Sequence, residues 1–309
     1  MVSQFCPLAL AMAVLAASGC STPRSIDPRM AAAMAGNDGG TIRQLVTSRP
    51  ALARASDELG QTPLHWAAYH NDTTLAEMLL SKGAKVNAFA KRHAWGKGEA
   101  ADLDFFDATT PLHQALTKGN WDVARLLVKR GADVNLPTEG CGDGFSSYTP
   151  LDLAVEDADV DFILLLIHAG ARVRDCGNQF HWPLEQAIER TDIMKVLLDE
   201  GANIEWAGVD GYTTLHLAVF NNRPAAAAFL LEHGAKVDAL DMGGGTPLHL
   251  AACYGYVECA KILLAHGANA ALKDNDGQTP RMVAEKPADS PSHPSVETRK
   301  PIAELLRRH

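Results

Sequence analysis

Beyond residue 20 this 309-residue chain contains no run of the roughly 18 apolar residues that a membrane-spanning helix requires. It is also poor in positive charge. The 28 Lys and Arg are outnumbered by 37 Asp and Glu, for a net charge of −9. Binding to phosphate backbones needs clustered cations, so nucleic acid is not an expected partner. Catalytic signatures are missing too: there is no His-Glu-x-x-His, no Gly-x-Ser-x-Gly and no Gly-Lys-[Ser/Thr]. With no such constellation, neither catalysis nor a cofactor or resident metal is expected. What is present, 47% hydrophobic and 21% charged residues, excludes wholesale disorder.

The strongest positive signal is internal repetition. Gly-Ala recurs at Gly83, Gly131, Gly170, Gly201, Gly234 and Gly267, and five of the six follow the second residue of a Thr-Pro-Leu-His-like tetrapeptide by 20 residues. Those tetrapeptides begin at Thr62, Thr110, Thr149, Trp182, Thr213 and Thr246, and Thr279-Pro280-Arg281-Met282 opens a degenerate seventh unit. The spacing has a local physical cause. Thr accepts a backbone N–H at a helix start, Pro fills the first helical position where no N–H is needed, and Gly permits positive φ where the second helix stops. Between them, Leu248 with Ala251-Ala252, and then Cys259, Ile262 and Leu263, mark the apolar faces of a helix pair.

These residues resemble the ankyrin repeat, and Gly245–Ala268 is nearly a consensus unit. The resemblance runs from Asp27 to the C-terminus. It implies an all-α solenoid of about eight helix-turn-helix units with hairpin-like fingers, in one domain over residues 27–309. Residues 27–58 would form the N-terminal cap and 276–309 the C-terminal cap. In the cap, Gly36-Asn37-Asp38 aligns with His70-Asn71-Asp72. At the other end Ile302–Leu306 reads as a second helix, displaced by a Pro-rich loop over Pro287–Glu297. The resemblance also implies that His65, His113, His216 and His249 hydrogen-bond between neighbouring turns and do not ligate a metal. Asp152 and Glu185 replace that histidine in two units.

The array loses step in three places. From Pro63 to Pro111 is 48 residues and from Pro111 to Pro150 is 39, against 33 from Pro150 to Pro183. Because the Pro-to-Gly interval is unchanged, the additions fall in the fingers, within Phe89–Asp107 and Pro137–Ser147. The fourth unit is trimmed instead: Pro183 to Gly201 is only 18, which predicts a shortened turn between its helices. Phe89, Trp95, Phe105, Phe106, Phe145 and Tyr148 lie in or beside the enlarged fingers, and Trp206 lies on a later one. Aromatic rings on loops either dock onto a partner or fold back on their own repeats, and these residues are the candidate partner-binding set. Asp102, Asp104 and Asp107 add acid that would suit a basic surface; their spacing does not match a calcium loop.

The N-terminus has its own logic. Leu8–Ala17 has the length of a signal-peptide apolar region, and Ala17-Ser18-Gly19-Cys20 resembles a bacterial lipobox, with Ala17 where Leu is usual. The resemblance implies removal of residues 1–19, a diacylglycerol on Cys20, a tether over 20–26, and an outer-membrane lipoprotein facing the periplasm. Contact with the membrane would be through the lipid alone. In that oxidising compartment Cys141 and Cys176, on adjacent fingers, are expected to pair; a zinc site that includes His181 is the rival reading.

The expected function is non-catalytic binding of a protein partner with a basic surface. By analogy with similar periplasmic ankyrin proteins, the chain would be an immunity protein or an accessory factor of an envelope enzyme. The alternatives are a passive envelope scaffold and a cytosolic ankyrin scaffold whose first 20 residues are no signal.

Overall fold

A computed structural model describes residues 26–91, 106–140, 148–173, 183–208, 210–287 and 294–308. Eight helix pairs follow one another. They are α1 Pro28–Ala35 with α2 Gly39–Ser48, α3 Pro63–Tyr69 with α4 Thr73–Ser81, α5 Pro111–Thr117 with α6 Trp121–Lys129, and α7 Pro150–Ala154 with α8 Val160–His168. Then come α9 Pro183–Gln186 with α10 Thr191–Asp199, α11 Thr214–Phe220 with α12 Pro224–Glu232, α13 Pro247–Tyr254 with α14 Val257–Ala265, and α15 Pro280–Glu285 with α16 Val296–Leu306. First helices pack on first helices and second on second, and a continuous core runs from Met30 to Leu306. The all-α solenoid expected from the repeats is the observed architecture. A small antiparallel sheet is added where the fingers are enlarged.

Each first helix opens as the sequence dictates. The Thr62 hydroxyl accepts from the His65 backbone, while His65 Nδ1 accepts from Thr62 N at 3.2 Å and lies 2.8 Å from the hydroxyl. Thr110, Thr149, Thr213 and Thr246 repeat this capping box. The turn between helices needs positive φ, which Asn37 and Asn71 supply at 57° and 52°. Asp38 and Asp72 then cap α2 and α4. The aligned Asn-Asp pairs of the N-terminal cap and the first full unit thus do the same mechanical work.

The trimmed unit shows what two missing residues cost. Its first helix is one short α turn, α9, tightened into a 3₁₀ segment Ala187–Glu189, and Arg190 alone separates it from α10. Arg190 reaches back and donates to the Ala158 carbonyl at 2.6 Å, which anchors this weakened unit to its predecessor.

The last unit corrects one boundary. Its second helix begins at Val296, not near Ile302, because Ser295 caps it through Thr298 N and Pro301 is tolerated inside. The reason is tertiary: the buried Arg299 donates to the carbonyls of Val283 and Lys286, tying α16 to the end of α15.

Candidate partner-binding surface

Side chains of the first helices and the fingers share one face. The two enlarged fingers are joined there by backbone pairing. Strand β1 (Ala90–Lys91) pairs antiparallel with β2 (Phe106–Thr109), and β2 pairs with β3 (Glu139–Gly140) from the following finger. The join extends backwards through Lys91 N, which donates to the Leu59 carbonyl at 2.6 Å. Thr138 and Tyr148 close the base of the second insertion: Thr138 N donates to Tyr148 O at 2.9 Å, and Tyr148 N donates to the Thr138 hydroxyl at 3.0 Å.

This arrangement brings together part of the expected aromatic set. Phe89 is 41% exposed beside β1 and, with Arg54, Gly60 and Lys85, lines a cavity of about 180 Å³. Phe106 lies in β2 opposite Gly140, and Tyr148 is half-buried at the loop base. Trp206, also half-buried, stands apart on the fourth unit's finger, its ring near Gly208. Trp95, Phe105, Phe145, Cys20, Cys141, Cys176 and His181 lie outside the described residues.

The repeat histidines are committed to the scaffold. Because Nδ1 accepts the capping N–H, Nε2 carries the proton and can donate to the next unit. His65, His216 and His249 place Nε2 at 3.3, 3.4 and 3.0 Å from the carbonyls of Thr109, Gly245 and Gln278. His113 is the exception. Tyr148 O, the corresponding acceptor, also receives Thr138 N, and among the described residues the buried His113 Nε2 makes no well-formed hydrogen bond. Burial pushes the His113 pKa down to about 4, opposed by the nearby carbonyls of Leu136 and Tyr148.

The two substituted acids behave differently. Asp152 Oδ2 accepts from Thr149 N and from the Thr149 hydroxyl, both at 2.8 Å, but Oδ1 is buried with no partner. Burial raises its pKa to about 6 and that of Glu185 to about 7. Among the described residues no three His, Cys, Asp or Glu side chains group as metal ligands.

A second aromatic cluster was not anticipated. In the fifth and sixth units Tyr212 stacks on His216 at 5.5 Å and lies 6.5 Å from Phe220. Phe220 meets Tyr254 edge-on at 5.3 Å, and Tyr254 stacks on Tyr256 at 5.6 Å. Phe220 is 41% exposed, and the neighbouring fingertip presents Leu240 and Met242 to solvent. The available signal was positional: Phe220 and Tyr254 end first helices, outside the buried stripe that packs into the core. The fingertips above are fixed by backbone bonds, from Met242 N to Asp210 O at 3.1 Å and from Asn275 N to Gly243 O at 2.9 Å.

Family comparison agrees with this architecture. A model described as ankyrin repeats (3 copies) matches residues 8–90, 96–177 and 151–241, and one described as ankyrin repeats (many copies) matches 230–284. Among curated proteins, BRCA1-associated RING domain protein 1 of Caenorhabditis elegans is 34% identical over 73 residues, 23% of this chain. The match spans only 10% of that protein's length. Among solved structures, the human ASB11 ankyrin repeat domain gives a TM-score of 0.57 at 24% identity, over 78% of this chain and 97% of that one. The ankyrin repeat domain of Bcl-3 gives 0.60 at 25% identity, over 81% and 100%.

Proposed function

The chain belongs to the ankyrin repeat family, and on that premise we propose that it is a non-catalytic protein-binding module, anchored in a bacterial envelope through a lipid on Cys20. The observation that carries the binding reading is the pairing of β2 with β3. Two insertions from different repeats would be dispensable to the stack, yet their described ends are bonded into one sheet beside the exposed Phe89. A preorganised platform loses little conformational entropy when a partner docks, so aromatic anchors on it yield more net affinity. Acid on the first enlarged finger favours a basic partner.

Trp95→Ala combined with Phe105→Ala tests this reading. The expected result is loss of partner capture from envelope extract, with the urea midpoint of the mature domain unchanged. A fall in stability instead would mean that the rings pack on their own repeats and the chain is a passive scaffold.

The envelope reading is supported by the lipobox-like Ala17-Ser18-Gly19-Cys20. Labelled palmitate should enter the protein and fail to enter Cys20→Ala. A non-reducing peptide map should link the peptides of Cys141 and Cys176. Palmitate absent from the parent protein would instead favour a cytosolic scaffold. An immunity role further predicts tight binding and a toxin gene alongside, whereas an accessory role to an envelope enzyme predicts neither.

A further inference from the structure

The aromatic cluster of the fifth and sixth units lies away from the enlarged fingers and carries a different charge environment. The three fingers flanking it, residues 201–213, 234–246 and 267–279, hold six acids, Glu205, Asp210, Asp238, Asp241, Asp274 and Asp276, against Lys236 and Lys273 alone. None of the six has a Lys or Arg partner among the described residues. Towards the N-terminus Glu156 and Asp157, in the turn after α7, are also exposed acids. Two basic side chains of the intervening units are engaged: Arg223 pairs with Glu189, and Arg190 with Asp192 and the Ala158 carbonyl.

The array contains its own precedent for what sits on such a ring. Tyr69 and Phe220 occupy the same repeat position, at the last residue of α3 and of α11. Over Tyr69 the next unit supplies Lys118, whose Nζ is 5.0 Å from the ring centroid. Over Phe220 the corresponding residue of the next unit is Tyr254, so a second ring stands where the cation stood. Among the described residues no Lys or Arg covers Phe220. The local field is negative as well: after burial, the largest influence holding the Tyr212 hydroxyl above its usual pKa is the Asp241 carboxylate, with Asp210 also contributing.

We propose that the groove formed by Tyr212, Phe220 and Tyr254 under the Asp210 and Asp241 fingertips docks a basic segment of a partner protein, with an arginine or lysine side chain laid against the Phe220 ring. The ring quadrupole attracts a cation, and the Asp210 and Asp241 carboxylates, which act on the neighbouring Tyr212, complete the neutralisation. Met242 and Leu240, exposed on the neighbouring finger, would offer apolar surface to the cation's aliphatic stem. This inference rests on the protein-binding reading and assigns it a second contact surface with defined chemistry.

The test is fluorescence anisotropy of the mature chain, residues 20–309, with a labelled hexa-arginine peptide and a hexa-citrulline control of the same shape without charge. Hexa-arginine should bind, hexa-citrulline should not, and affinity should fall with added salt. Phe220→Ala should weaken binding about fivefold. Asp210→Asn with Asp241→Asn should weaken it at least as much and flatten the salt dependence, the asparagine at 241 keeping an oxygen for Gly245 N. Tyr69→Ala should change nothing, because Lys118 already occupies that ring. Urea midpoints within error of the parent confirm that the variants fold. Equal binding by parent and Phe220→Ala, or by the citrulline peptide, overturns the proposal. Failure of hexa-arginine to bind while Trp95→Ala with Phe105→Ala still abolishes partner capture would remove only this groove and leave the binding function intact.

Discussion

Asp152→Asn is expected to stabilise the domain by about 1–3 kcal/mol at pH 8 and by almost nothing at pH 3. Asp152 is 3% exposed, and its only polar partners among the described residues are the backbone and hydroxyl of Thr149, both on Oδ2. Burial raises its pKa from 3.8 to about 6. A carboxyl whose folded pKa is raised favours folding in its protonated form. Its contribution is therefore complete below the unfolded pKa and is lost as pH climbs through about 6. Asparagine keeps the acceptor towards Thr149 and puts an amide N–H where Oδ1 now stands. That is the polarity the repeat histidines present through Nε2. Urea titrations of parent and variant at the two pH values would decide the matter, because their difference cancels every other titrating group, Glu185 included. An equal gain at both pH values would show that a packing change, not the charge, is responsible.

Gly211→Ala should cost about 2–4 kcal/mol and detach one fingertip from the next. Gly211 sits at φ +76°, where a side chain alone costs about 1–2 kcal/mol. The added Cβ would also lie 2.7 Å from Met242 N and 3.1 Å from the Asp241 backbone, neither of which can swing aside. The Met242-to-Asp210 bond is the first to yield, and with it the fixed relation between the Tyr212 groove and the Met242 fingertip. Gly234→Ala is the matched control, since φ is +93° there but a Cβ would meet nothing within 4 Å. It should show the backbone penalty without the steric one. Chemical denaturation of both, with amide exchange at Met242, separates the two effects. Identical losses and unchanged protection of Met242 would refute the steric argument.

Much of the fold was legible because its determinants are local. A Thr-Pro-Leu-His start and a glycine stop act within one helix, so their spacing counts the units and exposes every insertion or deletion. The shortened turn of the fourth unit follows from counting alone. The start of α16 did not, since the contact that defines it joins Arg299 to carbonyls 13 and 16 residues earlier. The candidate surface was legible in part. Phe89 stands out as an aromatic beside an insertion, and the structure places it exposed against the sheet. Phe220 and Tyr254 sit in units of regular length, where nothing in the spacing marks them.

The sequence by itself determined the number of units, their caps and the position of the added fingers, because each depends on hydrogen bonds and dihedrals closed within a few residues. Stacking decided the rest. Residues one repeat apart meet only when units pack, so the β2–β3 join, the Phe220–Tyr254 contact and the unpaired oxygen of Asp152 exist only in the assembled array.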